Sequence, residues 1–161
     1  MSFVADSGPI ISFARAGRLE LLRQVVGELW IPEAVYTELV VKGAGKPGAA
    51  ETAQDIWIKR RPVTRRELVR KLPRKLGEGE REAIILTEEL KAVLVMDDPR
   101  AREEANRRSL LLLGSLGILR EAKLRGFIPT VKPHLDALRA HHFRLADSSY
   151  HDFLRMMGEE S

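Results

Sequence analysis

The sequence predicts an α/β fold. Strand-like and helix-like segments alternate from Phe3 to Arg125. The run Ala92-Val93-Leu94-Val95-Met96 is apolar on both faces, as a buried parallel strand requires, and a strand-free helical tail follows from Val131.

Phe3-Val4-Ala5 reads as a first strand ending at Asp6, and Ser7-Gly8-Pro9 supplies the turn, with proline suited to the start of a helix. Ile10, Phe13 and Ala14 recur at helical spacing up to the Ala16-Gly17 stop. Leu19, Leu22, Val25 and Val26 mark a second short helix. Leu29-Trp30-Ile31 is strand two. Pro32 opens a helix through Val35, Tyr36, Leu39 and Val40, followed by the glycine-rich, flexible loop KGAGKPGAA.

The middle third is weakly patterned, with a helix from Ala50 to Ile56, a basic strand from Trp57 to Val63, and a basic helical turn or two from Glu67 to Leu76. Helical spacing returns from Glu78 to Leu90 through Ala83, Ile84 and Leu86. After the apolar run, Pro99 to Arg108 is a charged helix, Leu110 to Leu113 a second buried strand, and Ser115 to Arg125 a helix stopped by Gly126. The tail from Val131 to Met157 closes the fold through Leu135, Leu138, Phe143, Tyr150, Phe153 and Leu154.

A chain of 161 residues suits one domain (1–161) with a real core, and 44% apolar with 31% charged residues is the composition of a folded protein. Twenty-seven Lys and Arg against 23 Asp and Glu give +4. Between Lys59 and Lys75 nine cations face only Glu67, a footprint for a polyanion or else a solvated face. Without cysteine there are no disulfides, thiolate-bound zinc or thiol nucleophiles. MSFVADSGPI has no basic segment leading an apolar stretch and no apolar run reaches the roughly 18 residues a membrane span requires, so a cytoplasmic location without a membrane partner is expected.

Acids follow two strands directly, namely Asp6 after FVA and Asp97-Asp98 after AVLVM, where parallel sheets place their ligands. Alone, Asp6 is equally well explained as a helix N-cap. One of the Asp97-Asp98 pair can cap the helix from Pro99, which leaves a second carboxylate over. Adjacent carboxylates repel unless a cation or hydrogen bonds compensate. An oxygen-only cluster selects Mg²⁺ or Mn²⁺. Glu38 lies beside the apolar stripe of its helix, where an exposed surface acid is the commoner case, and Glu80 sits where the helix dipole favours an acid. No P-loop or GxGxxG occurs; DSG replaces the Asp-x-Asp of haloacid-dehalogenase-type phosphatases, and a receiver's acidic pair would be early, not late.

The blocks FVADSGPIISFARAGRLELL, IPEAVYTELV, LGEGEREAIILTEEL, LVMDDPRAREEA and LLGSLGILREAKLRGFIP, in that order, resemble the PIN-domain nucleases, within them the small prokaryotic branch of toxin nucleases. HLDALRAHHFRLADSSYHDFLRMMGE resembles the closing helices of that branch. The resemblance implies a three-layer α/β/α fold and a catalytic set of Asp6, Glu38, Glu80 and Asp98 holding Mg²⁺ or Mn²⁺, with Asp97 as a further ligand or a cap. Ser7 and Ser115 would be minor members of the site. Glu80 stands where many members have Asp, one methylene longer. It also implies hydrolysis of single-stranded RNA, an antitoxin protein as partner and a homodimer. Lys59, Arg60, Arg61, Arg65, Arg66 and Arg100 are the candidates for the RNA backbone; Trp30 and Trp57 read as core residues, although an exposed Trp57 could stack a base. His134, His141, His142 and His151 read as surface residues. The competing reading is a catalytically silent PIN-like module that binds RNA or a protein.

Overall fold

The strands are too short to be stable alone and depend on being covered on both faces. In the computed structural model, which describes residues 1–161, each is three residues long: β1 (Phe3–Ala5), β2 (Leu29–Ile31), β3 (Ile58–Arg60), β4 (Val93–Val95) and β5 (Leu111–Leu113). They form one sheet in the order β3-β2-β1-β4-β5 with every pair parallel. Side chains alternate between faces. Phe3, Ala5, Leu29, Ile31, Val93 and Val95 enter one core, while Val4 and Leu94 enter the other, where Trp30 and Leu112 also pack.

The first core is covered by α1 (Ser7–Arg15), α2 (Leu19–Val26), α8 (Ser115–Leu124), α9 (Lys132–Ala140) and α10 (Asp147–Met156). The second is covered by α5 (Arg66–Lys71), α6 (Glu78–Leu90) and α7 (Pro99–Arg107). The result is the expected three-layer α/β/α arrangement. Ile84, Ile85 and Leu86 of α6 are fully buried, each worth roughly 1.5–3 kcal/mol against exposure. The tail is fastened by Glu159, whose carboxylate accepts from Val131 N and Lys132 N (2.8 and 2.9 Å) and from Lys123 Nζ (2.8 Å). No helix is long and apolar enough to cross a membrane.

Three local expectations are corrected. The helix opened by Pro32 is α-helical only over α3 (Glu33–Tyr36) and then becomes a π-helical turn, Thr37–Lys42. The basic strand shrinks to β3, between α4 (Ala49–Gln54) and α5. β5 is an edge strand, not a buried one, and leaves Leu111 60% exposed.

Candidate active site at the carboxyl ends of β1 and β4

Chain direction across the sheet reverses at β1: β2 and β3 lie on one side of it, β4 and β5 on the other. The crevice outside the carboxyl ends of β1 and β4 is therefore the switch point at which open parallel sheets bind ligands. Asp6 leaves β1 there, and Met96-Asp97-Asp98 leaves β4.

Asp6 occupies the N-cap position of α1 with extended backbone (φ −88°, ψ −173°), yet its side chain makes no capping bond. It is 7% exposed, and its Oδ1 is buried without a hydrogen-bond partner. Capping therefore does not explain this residue. Burial raises its pKa well above the usual carboxylate range, and repulsion from Glu80, Asp97, Glu38 and Asp98 adds to the shift. The four other acids converge on Asp6.

Each of those acids is held by a neighbour. Glu80, the third residue of α6, accepts the Gly77 N–H through Oε1 (2.9 Å). Its pKa is raised, chiefly by burial, against the lowering effect of that N–H; Asp98 and Glu38 push it further up. Asp97 accepts from Ser115 twice, from the backbone N–H at 2.7 Å and from Oγ at 2.5 Å. Gly114 permits this approach, because a Cβ there would lie 3.1 Å from Asp97 Oδ1 and 2.9 Å from the Arg102 guanidinium. Asp98 is the member that caps α7, accepting Ala101 N–H at 3.0 Å through Oδ2. The cap thus falls to Asp98, not Asp97.

Glu38 lies on the π-helical turn, exposed, with Ser7 Oγ donating to its Oε2 at 2.7 Å. Both serines of the sequence reading therefore orient a carboxylate, Ser7 for Glu38 and Ser115 for Asp97. Gly79 flanks Glu38 from α6, where a Cβ would overlap Glu38 Oε1. Gly79→Ala should leave the melting temperature within a few degrees of wild type, since Glu38 can swing into solvent. It should weaken divalent-ion binding measured by calorimetry; unchanged affinity would refute a steric role for Gly79.

The donor set is chemically matched to a hard divalent cation: five carboxylates, no thiolate in the chain, no imidazole hydrogen-bonded to them, and one buried, unpartnered oxygen on Asp6. No three of these side chains are closed around a common point at ligating distance as they stand.

No curated protein matches the chain. A family model described as a PIN domain (DUF3368) matches residues 2–159. The chain belongs to the PIN-domain family. A solved PilT N-terminus domain protein from the hyperthermophilic archaeon Sulfolobus solfataricus is similar in fold, with a TM-score of 0.52 and 17% identity over 91% of this chain and 100% of that one. PIN domains are generally nucleases that use divalent metals, and the fold of this one is a nuclease fold.

Around the acids of this PIN domain the cations differ in availability. Lys59 pairs with Glu28 (2.5 Å), Arg60 with Glu33 (2.7 Å), Arg65 with Glu88 and Glu89 (3.9 and 3.7 Å), and Arg66 with Glu82 (2.9 Å). Arg61 and Arg100 are exposed and unpaired. Trp57 is buried, its Nε1–H donating to Asp55, so it has no face for a base; Trp30, beneath Lys59 and Arg61, is the ring that meets cations. His142, read as a surface residue, instead borders Asp97 and Asp98 in a cavity of about 430 Å³, together with Arg144, which the sequence reading did not single out. His134 accepts from Arg18, and His151 contacts Glu160 at 2.6 Å, so neither faces the acids. Glu82 was also passed over: it is buried, accepts Ala34 N–H at 3.0 Å and Arg66 at 2.9 Å, and ties α3 to α6.

Proposed function

We propose that this PIN domain is a Mg²⁺- or Mn²⁺-dependent endoribonuclease acting on single-stranded RNA. The observation that carries the reading is Asp6, a buried carboxylate with an unpartnered oxygen on which four other acids converge. A chain gains nothing in stability from that arrangement, and perturbed acids in a crevice mark chemistry more often than architecture. Asp6, Glu38, Glu80, Asp97 and Asp98 would hold the metal. When bound, it supplies charge neutralisation for the phosphodiester and a more acidic water.

The chain's own contribution is positioning. Ser115 fixes the plane of the Asp97 carboxylate through two donors, Ser7 fixes Glu38, and Gly77 N–H fixes Glu80. Asp98 is anchored to α7 by Oδ2, which leaves Oδ1 available to a ligand. Asp6 and Glu80, with raised pKa values, are the members able to hold a proton until a cation replaces it. Arg61 and Arg100 are free to draw an RNA backbone toward the crevice.

The toxin role, an antitoxin partner and a homodimer are supported by the resemblance to the toxin-like branch, and a reducing cytoplasm suits a cysteine-free chain. The test is incubation of the purified protein with single-stranded RNA and either metal. Cleavage that EDTA abolishes is expected; no cleavage of any RNA in either metal overturns the proposal. Absence of metal binding by calorimetry would then favour the silent module.

A further inference from the structure

The glycine-rich loop after the π-helical turn is folded back rather than free. Lys46 N–H donates to Gly43 O (2.9 Å) and Ala49 N–H to Lys46 O (3.1 Å), which makes two successive turns. Gly48, at φ +94°, is in a region that suits glycine, and its Cβ position lies 3.5 Å from Ile10 Cγ2 and 3.7 Å from Ala14 Cβ. The loop is thereby pressed along α1. Lys42 and Lys46 come to share a cavity of about 330 Å³ with Arg15, the last residue of α1.

That cavity adjoins the acidic cluster. Ser7 and Glu38 form its inner edge, and Ile11 and Leu39 give it an apolar wall. Arg15, Lys42 and Lys46 are all exposed, and none is in an ion pair, unlike Lys59, Arg60, Arg65 and Arg66. The one carboxylate in the cavity, Glu38, already accepts from Ser7. Three uncompensated cations around a concavity make a local positive potential beside a negative one. A volume above about 300 Å³ is in the range of sites for small molecules, so the space suits a nucleotide unit more than a bare ion.

We infer that this cavity is the subsite for a backbone phosphate of the RNA strand next to the scissile one, on the Glu38 side. Arg15, Lys42 and Lys46 bind the phosphate oxygens, and the Ile11–Leu39 wall receives the sugar or base. The inference rests on the ribonuclease reading and adds the direction in which the strand leaves the acids. Selectivity for a continuous strand follows from it. The metal-loaded acids take one phosphate and the cavity takes its neighbour.

The test is fluorescence anisotropy with a labelled single-stranded oligoribonucleotide in EDTA, which reads the cavity without metal-loaded acids, in an Asp6→Asn background that does not cut. Removing Arg15, Lys42 and Lys46 together, each to Gln, should lower the slope of log affinity against log salt by roughly 0.7, the value for one phosphate on a single strand. Affinity near 0.1 M salt should fall roughly fivefold, the effect of that slope over one decade of salt. Lys59→Gln with Arg60→Gln and Arg65→Gln, the same change of charge at paired cations, should move the slope much less. Because the three side chains are exposed, thermal melts of the triple variant should match the parent. A triple variant with the parent's slope and affinity overturns the subsite and leaves the ribonuclease reading standing. No RNA binding by the parent, together with no cleavage by the unmodified protein, overturns both.

Discussion

Asp6→Asn should abolish metal-dependent RNA cleavage and, in the same molecule, stabilise the metal-free protein by about 1–2 kcal/mol, the size usual for relieving a strained functional site. The asymmetry follows from where Asp6 sits. Its carboxylate is buried, one oxygen has no donor, and four acids repel it, so every term raises the cost of its charge. Asparagine keeps the shape and removes the charge. In a chain of this size the gain corresponds to about 2–8 °C in melting temperature.

The dependence on pH fixes the sign. The folded-state pKa of Asp6 lies above its unfolded value of about 3.9, so the folded state holds the proton more tightly. Its favourable contribution is complete below that unfolded value and is lost as pH rises through the raised folded one. Glu80 acts in the same direction. Metal-free wild type should therefore lose stability as pH rises from about 4, and Asp6→Asn should show a flatter profile. Melts in EDTA across pH 4 to 8 measure this. Added Mg²⁺ should raise the wild-type melting temperature and leave the variant nearly unmoved, since only a bound ion shifts the equilibrium. A variant less stable than wild type in EDTA would refute the account.

The fold was readable where burial is two-sided. AVLVM is apolar without alternation, and such a run has one comfortable place, the centre of a parallel sheet; β4 is there. Leu110 to Leu113 carries the same signal and misleads, because strand order is set by contacts distant in sequence and β5 falls at the edge. The π-helical turn has no sequence period of its own, and Val35, Leu39 and Val40 suit an ordinary helix equally well.

The site divides along the same line. Asp6 and Asp97-Asp98 were visible from local rules, since each ends a strand, whereas Glu38 and Glu80 were picked out only by resemblance to the PIN-domain pattern. Local rules could also not separate Asp97 from Asp98. The decision depends on Ser115, 18 residues away from Asp97. His142 and Arg144 were missed for the same reason: they reach Asp97 and Asp98 through the packing of the closing helices. Lys42 and Lys46 were hidden in a loop whose composition says flexible and whose glycines instead fold it onto α1.

Glu82 shows most sharply what pattern alone conceals, and its removal is expected to have the largest cost to stability. In LGEGEREAI it is one acid among three, two positions after Glu80. In the structure its side chain is 3% exposed and holds three elements together, with Oε1 accepting the N–H of Ala34 at the start of α3 and Oε2 the guanidinium of Arg66 from α5. Glu82→Ala leaves an amide and a cation without their acceptor. Hydrogen bonds to charged groups contribute about 1.5–3 kcal/mol each, and Arg66 is 45% exposed and can turn to water, so a total loss of about 2–4 kcal/mol is expected. Glu82→Gln retains an acceptor for Ala34 N–H and should lose roughly half as much. Because α3 leads directly into the turn carrying Glu38, the alanine variant should also bind divalent ions more weakly at temperatures where it remains folded. Urea unfolding of the two variants separates these contributions. Equal stability of Glu82→Ala and wild type would mean that the carboxylate's burial costs as much as its two bonds return, as buried ion pairs can.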